Sequence, residues 1–248
     1  MYVLVRFEKS KRKKGGRAVI KLKGMSINNG TAKGKLLFLP HEEIIVRKQI
    51  VENPEKELEN YHKAQKLALA ELRELYVKAS EKLDKDIAEI FVIHRMFIED
   101  EDFEESIRNI IVNEHFNADF AVVITTRTFA KAFCHVDSEY IKGRSADLKD
   151  ISKRLIWHIQ NKEIQTVKLA EKAIICAEEI MPSGLVNLDI AKILAICTRK
   201  GSILSHSAII AKALNIPMIA GLGKRLSDNL DGHCATVNGS EGTVAVEI

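Results

Sequence analysis

Proline, glycine and cysteine are scarce in this chain, and the stretches that lack them say most about its architecture. Its 248 residues hold 4 prolines, 13 glycines and 4 cysteines. No glycine occurs from Asn53 until Gly143, and no proline between Pro54 and Pro182; such a stretch is a poor turn-rich β structure and a good helical one. Cys134, Cys176, Cys197 and Cys234 form no CxxC pair, so neither a disulfide framework nor a zinc motif is indicated. Cys176 and Cys197 fall in the apolar runs AIICA and ILAICT and read as reduced structural thiols. No apolar run approaches the roughly 18 residues that a membrane span requires. The N-terminus lacks the apolar core of a secretion signal, so a cytoplasmic protein is expected.

Aromatic residues make up only 6% of the chain. That matters for the one strongly charged segment. Residues 1–24 carry nine Lys or Arg against the single Glu8, a net +8 within a total of +4, so residues 25–248 sum to −4. The basic run Lys9–Arg17 has only Phe7 beside it and no stacking platform, so it reads as a solvated loop and no nucleic-acid partner is expected.

The remainder reads as two kinds of structure. MYVLVRF and RAVIKLKGMS are strand-like runs around the basic loop, and Lys35–Leu39 is another. From Asn53, a capping residue followed by Pro54, apolar positions recur at spacings of three and four through Leu83, predicting a helix near 28 residues long. A second helix starts around 84–86 and ends where the acidic residues 99–102 break the pattern. A third spans about 103–115, a fourth runs from Asn117 to about Phe133, and a last is capped by Ser145 and ends near Ile159. Connections this short imply antiparallel neighbours and nested helical hairpins. After Gln160 the pattern turns to buried strands at 173–177, 193–198, 218–221, 233–239 and 243–248, with a turn or short helix in MPSGLVNLD. The expected fold is an α/β domain from 1–45 and 164–248, with an all-α domain of helical hairpins, 46–163, inserted into it.

The eight histidines are scattered, with no HxxxH or HxH pair, and no metal site is expected. Neither a GxSxG elbow nor a GxxxxGK[ST] loop is present. His206 differs from the others in its setting. Ser205 is a natural N-cap for a helix bearing Ile209, Ile210, Ala213 and Leu214, which puts His206 in a first turn rich in free N–H groups. Gly201 and Ser202 form a small-residue approach, Ser205 and Ser207 supply hydroxyls, and Lys212 a cation. All favour a phosphoryl group on the imidazole, whose neutral nitrogen is a nucleophile for phosphorus. By periodicity and capping alone, a helix-capping histidine without chemistry fits as well.

The run Gly201, Ser202, Ile203, Leu204, Ser205, His206, Ser207, Ala208, Ile209, Ile210, Ala211, Lys212 resembles the phosphohistidine motif of the phosphoenolpyruvate-using enzymes, roughly Gly-Gly-x-x-Ser-His-Ser/Thr-Ala-Ile-x-Ala-Arg. Together with IFVIHRMFIEDEDFEESI (90–107), DSEYIKGRSADLKDISKRL (137–155) and GMSINNGTAKGKLLFL, it is similar to the amino-terminal half of Enzyme I of the bacterial sugar phosphotransferase system, over residues 24–248. The resemblance implies an α/β phosphohistidine (swivelling) domain and an inserted helical domain that docks the phosphocarrier HPr. It implies phosphoryl transfer through His206, from phosphoenolpyruvate to HPr, in support of sugar uptake. Its HPr surface would comprise His94, Arg95, Met96, Phe97, Glu99, Glu101, Asp102 and Phe103, assisted by Arg144.

In the family the phosphoenolpyruvate site, its Mg2+ and the dimer contacts belong to a further TIM-barrel domain. This chain by itself is therefore expected to need no cofactor and not to cleave phosphoenolpyruvate. Departures from the pattern are Met181 where the family has the threonine of a Thr-Pro-Ser turn, Ser202 and Ile203 in the loop, and Lys212 in place of arginine. They keep open an alternative, a degenerate regulatory module that binds HPr without efficient transfer.

Overall fold

Parallel pairing of four strands sets the plan of the molecule. In a computed structural model, which describes residues 18–40, 44–83, 85–136, 139–162, 167–203 and 205–248, all the strands among the described residues belong to one mixed sheet. They are β1 (Val19–Lys23), β2 (Met25–Asn28), β3 (Thr31–Phe38), β4 (Ala173–Ala177), β5 (Ile193–Thr198), β6 (Met218–Ala220), β7 (Cys234–Asn238) and β8 (Thr243–Glu247). Their order is β1-β8-β7-β3-β4-β5-β6-β2. The β3–β4, β4–β5 and β5–β6 pairs are parallel, and the flanking pairs are antiparallel. The strand expected in MYVLVRF and the basic run Lys9–Arg17 lie outside the described residues.

β4 is buried along its whole length, as a strand covered on both faces must be. Its alternate side chains feed two cores. Ile175 joins Ile196, Ala208, Ile210 and Met218 beneath the short helices, whereas Ile174 and Cys176 join Leu36, Cys197, Ile219 and Val246 on the opposite face. Gly239, where β7 ends, passes so close to the β2–β3 turn that a Cβ there would run into the Asn28 carbonyl.

Between β3 and β4 the chain forms α1 (Pro54–Lys82), α2 (Lys85–Ile98), α3 (Glu101–Val112), α4 (Ala118–His135) and α5 (Glu139–Ile159). The fold is thus an α/β sheet unit with an inserted array of helical hairpins. Asn53 Oδ1 accepts from Lys56 N at 3.0 Å, with Pro54 at the first helical position and Glu55 and Glu57 in the first turn. Tyr61, Leu72 and Leu75 of α1 close on Phe91, Phe103, Ile107, Leu148 and Ile151 in the bundle core. The two units share residues. Val186, in the short helix α6 (Pro182–Asn187), belongs to the bundle core, and Ile87 of α2 belongs to the core under the sheet.

Two helix starts differ from expectation. The acidic run at 99–102 does not merely break a helix: Asp100 caps α3 by accepting from Phe103 N at 2.9 Å, and Glu101 and Asp102 occupy its first turn, where the helix dipole favours them. α5 begins at Glu139 and runs through Gly143 and Ser145, because packing against α4 and α1 outweighs the cost of a helical glycine.

Charged groups tie α1 to α5. Arg154, almost fully buried, pairs with Glu71, and His158 Nε2 lies 3.0 Å from the same carboxylate. Burial pushes the Glu71 carboxyl up, but His158 and Arg154 outweigh it and hold it below the ordinary carboxylate range. A carboxylate so depressed adds stability above its unfolded pKa and loses it as pH falls through the folded one. Glu71→Gln, which strands a buried guanidinium, is expected to cost roughly 3–5 kcal/mol at neutral pH. In chemical denaturation the gap between Glu71→Gln and the parent should shrink as the pH is lowered below the carboxylate range.

Candidate functional site

Two loops leave the same edge of the sheet, and the lesser helices are built on them. The segment after β4 leads into α6; the segment after β5 leads into α7 (His206–Ala213). Main-chain bonds hold the two together: Arg199 N donates to Ala177 O at 3.0 Å and Lys200 N to Glu178 O at 2.8 Å. Glu178 then draws in the side chains, with Lys200 Nζ at 2.9 Å and Arg199 Nη1 at 3.4 Å. Lys200 acts first, then burial, then Arg199; the net effect holds the Glu178 carboxyl below its ordinary value. Arg199 also donates from Nε to Leu226 O at 2.6 Å and from Nη2 to Asp228 at 2.7 Å. The approach to α7 is therefore anchored on both sides.

Gly201 turns the chain at φ +115°, a conformation that favours glycine. Ser205 then performs the expected cap. Its Oγ accepts from Ala208 N at 3.3 Å, donates to Ser202 O at 2.8 Å and lies 3.1 Å from Ser207 Oγ. Ser207 is buried, Ser202 and Ile203 are exposed, and Lys212 projects to solvent from the last turn. The far end of α7 is closed by Asn28, whose Nδ2 donates to Ala211 O and Ile216 O at 3.3 and 2.9 Å. α7 ends at Ala213 with Leu214 as its C-cap, just before Asn215 takes φ +53° and Pro217 follows. The structure describes only the backbone of His206, which stands first in α7 behind the Ser205 cap, at the end with free N–H groups.

One hydroxyl near this loop was not singled out from the sequence. Thr198, at the end of β5, is fully buried, and its Oγ1 has no partner among the described residues. It lies 3.5 Å from where a Cβ on Gly201 would stand. Its apolar context in ILAICT conceals it, and only the strand-to-loop geometry reveals it. Met181, by contrast, precedes α6 and gives it no side-chain cap.

The residues expected to form a docking surface divide in two. Met96, Glu99, Glu101 and Asp102 are exposed, Arg95 is half-buried with Nη2 at 3.6 Å from Glu99, and Phe97 leans on Phe133 at 5.7 Å. His94 and Phe103 are fully buried and so cannot lie on that surface. Phe103 packs edge-on to Phe129 in the bundle core. His94 stands between two carboxylates of α5, with Nε2 at 3.1 Å from Asp147 and Nδ1 at 3.7 Å from Asp150. The apparent patch thus has exposed residues resting on buried neighbours, as one helix face must when the next faces the core. Only the backbone of Arg144, within α5, is described.

Among the described residues, no three His, Cys, Asp or Glu side chains are grouped to hold a metal ion, and no helix is long and apolar enough to cross a membrane.

The cap gives a direct structural prediction. Ser205→Ala removes the acceptor for Ala208 N and is expected to cost about 1 kcal/mol in denaturant unfolding. Ser205→Asp, which keeps an acceptor at the helix start, should recover most of that loss. Equal stability of Ser205→Ala and the parent would contradict the cap.

Known proteins resemble this chain over most of its length. The model of the PEP-utilising enzyme, N-terminal, matches residues 23–144, and that of the PEP-utilising enzyme, mobile domain, matches residues 169–242. Phosphoenolpyruvate-protein phosphotransferases of Priestia megaterium and Bacillus subtilis (strain 168) are each 30% identical over 227 residues, 91% of this chain and 40% of theirs. That of Geobacillus stearothermophilus is 31% identical over 224 residues, 90% of this chain and 39% of its own. The chain thus spans about 40% of the length of these relatives. A solution NMR structure of Enzyme I (nEIt) matches with a TM-score of 0.77 at 31% identity, over 91% of this chain and 92% of that one. The N-terminal domain of "Enzyme 1 - Nitrogen", at 22% identity and a TM-score of 0.60, shares the fold over 91% of this chain and 93% of its own. Matched in order along the sequence and superposed over nearly the whole of a solved relative, the chain belongs to the Enzyme I family of PEP-utilising enzymes and corresponds to that family's amino-terminal half.

Proposed function

We propose that this chain carries a phosphoryl group on His206 and exchanges it with a histidine of the phosphocarrier HPr. In the outward step a nitrogen of the HPr imidazole attacks phosphorus. A new N–P bond forms as the bond to His206 breaks, and the electron pair of that bond returns to the His206 ring. The group is loaded by the analogous displacement from phosphoenolpyruvate, whose P–O bond breaks to release the enolate of pyruvate at a site outside this chain.

The observation that carries the reading is the placement of His206 at the first position of α7. It follows a Gly201 turn and a hydroxyl cap, where main-chain N–H groups and the helix dipole favour an added dianion. Gly201, Ser202, Ser205, Ser207 and Lys212 support the phosphoryl group in this proposal. Ser205 does so chiefly by fixing the helix start, and Lys212 through long-range attraction from an exposed position. HPr docks on Arg95, Met96, Glu99, Glu101 and Asp102, with Arg144 assisting. An exposed methionine rimmed by carboxylates suits a basic partner with an apolar centre.

A second reading rests on Met181. A thioether cannot donate a hydrogen bond, so the turn before α6 brings no hydroxyl toward the site. If that loss is decisive, the chain is a regulatory HPr-binding module without efficient transfer. Thr198 favours the transferase, because it offers an unused hydroxyl beneath the same loop.

Incubation with labelled phospho-HPr is expected to place acid-labile label on the chain and none on His206→Ala. Label persisting in that variant would overturn the assignment. Under the transferase reading Met181→Thr changes the exchange rate by less than about tenfold, the size of one typical hydrogen bond. HPr binding without exchange in the parent, with exchange restored by Met181→Thr, would establish the regulatory alternative.

A further inference from the structure

Where the bundle meets the sheet there is a cavity of about 180 Å³, with one wall from α5 and the other from the β4–α6 segment. Its ionic groups are unevenly satisfied. Among the described residues four carboxylates line it, and each lies within ion-pair distance of a basic side chain. Glu71 pairs with Arg154 and His158, and Asp150 lies 3.7 Å from His94 and 4.0 Å from Arg154. Glu178 is held by Lys200 and Arg199, and Glu179 by Lys149 at 2.6 Å.

The donors are not used up. Lys153 lines the same cavity without a hydrogen bond or ion pair to any described residue. It feels Glu179 and Asp150 only at longer range and is opposed by Lys149 and Lys200. Two further wall residues, Arg154 and Trp157, carry buried N–H groups, Nε and Nε1, that lack an acceptor among the described residues. Unpaired donors at one place cost stability unless something accepts from them.

We propose that this cavity is a binding site for a small phosphate-like oxyanion, with Lys153 as its principal cation and Arg154 and Trp157 as accessory donors. Asp150 Oδ2 also takes no hydrogen bond, but each described lining carboxylate lies within ion-pair distance of a basic side chain, and the unused donors on Lys153, Arg154 and Trp157 outnumber that one oxygen, which favours an oxyanion over a cation. The volume suits a group of a few heavy atoms. The same arrangement burdens the empty protein. Burial, followed by Lys149, lowers the Lys153 pKa despite Glu179 and Asp150, so the ammonium is held where folding disfavours it. A bound anion reverses that penalty. Because Lys200 lies on the loop leading to α7 and repels Lys153, occupancy of the cavity is felt at the loop that carries His206.

Trp157 is the single tryptophan of the chain, so its fluorescence reports on this cavity. Inorganic phosphate, titrated at constant ionic strength with chloride, is expected to change that fluorescence saturably and to raise the melting temperature. Lys153→Met should weaken binding roughly tenfold or more, the effect of deleting one charge-assisted hydrogen bond, and Lys153→Arg should largely retain it. Without phosphate, Lys153→Met should melt higher than the parent, a result that also shows the variant folds. Affinity should fall as pH rises through a lysine pKa below the ordinary one.

The source of the oxyanion is separated by His206→Ala. Retained phosphate binding in that variant identifies a free anion as ligand and stands whether or not His206 is ever phosphorylated. A Trp157 response that appears only on phosphorylation of His206 and disappears in Lys153→Met identifies the carried phosphoryl group instead. If neither free phosphate nor phosphorylation moves Trp157, or if the parent and Lys153→Met respond alike, the proposal is overturned.

Discussion

The parallel run β3-β4-β5-β6 is the constraint on which the rest depends. Parallel neighbours point their carboxyl ends to one edge, and each must reach the next strand by a crossover. The crossover after β3 is the whole helical array, the one after β4 is α6, and the one after β5 is α7. All three therefore leave from the same edge. The bundle is brought against the two loops that set up His206, as the Lys149–Glu179 pair and the shared cores make physical. Loops at the carboxyl ends of parallel strands are the usual place for a ligand in open α/β sheets.

On that edge the short helix α7 needs outside support, since eight residues do not hold a helix by propensity. Support comes from both ends and from beneath. Ser205 closes the start, Asn28 bridges two carbonyls at the finish, and Ala208, Ile210 and Ala211 pack into the core under the sheet. What is left unsatisfied is the polar start itself. A rigid helix with free N–H groups at a loop edge is pre-organised for an anion, and His206 stands at that start.

Much of this was legible in the residues, for identifiable reasons. The Asn53-Pro54 start, the apolar spacing of α1 and the fully apolar β4 and β5 are local signals, and local signals survive folding. The Ser205 cap was readable for the same reason. The start of α5 was not, because Ser145 looks like a cap and Gly143 like a break until packing against α1 and α4 is known. His94 misled because a polar residue beside Met96 suggests surface. Its burial depends on Asp147 and Asp150, more than fifty residues away. Thr198 and Lys153 were invisible in the same way: a hydroxyl and an ammonium without a partner among the described residues are defined by what surrounds them in space. Caps, helix starts and strands set by local sequence could be read in advance, and contacts created by the meeting of two units could not.

The most direct test of the central claim is to locate the phosphoryl group. After exchange with phospho-HPr, the intact chain is digested under alkaline conditions that preserve phosphohistidine, and its peptides are mapped by mass spectrometry. The account predicts the added mass on the peptide that contains His206 and on none of those containing the other histidines. Phosphorylation of His233, His115 or any other histidine, with His206 unmodified, would contradict it.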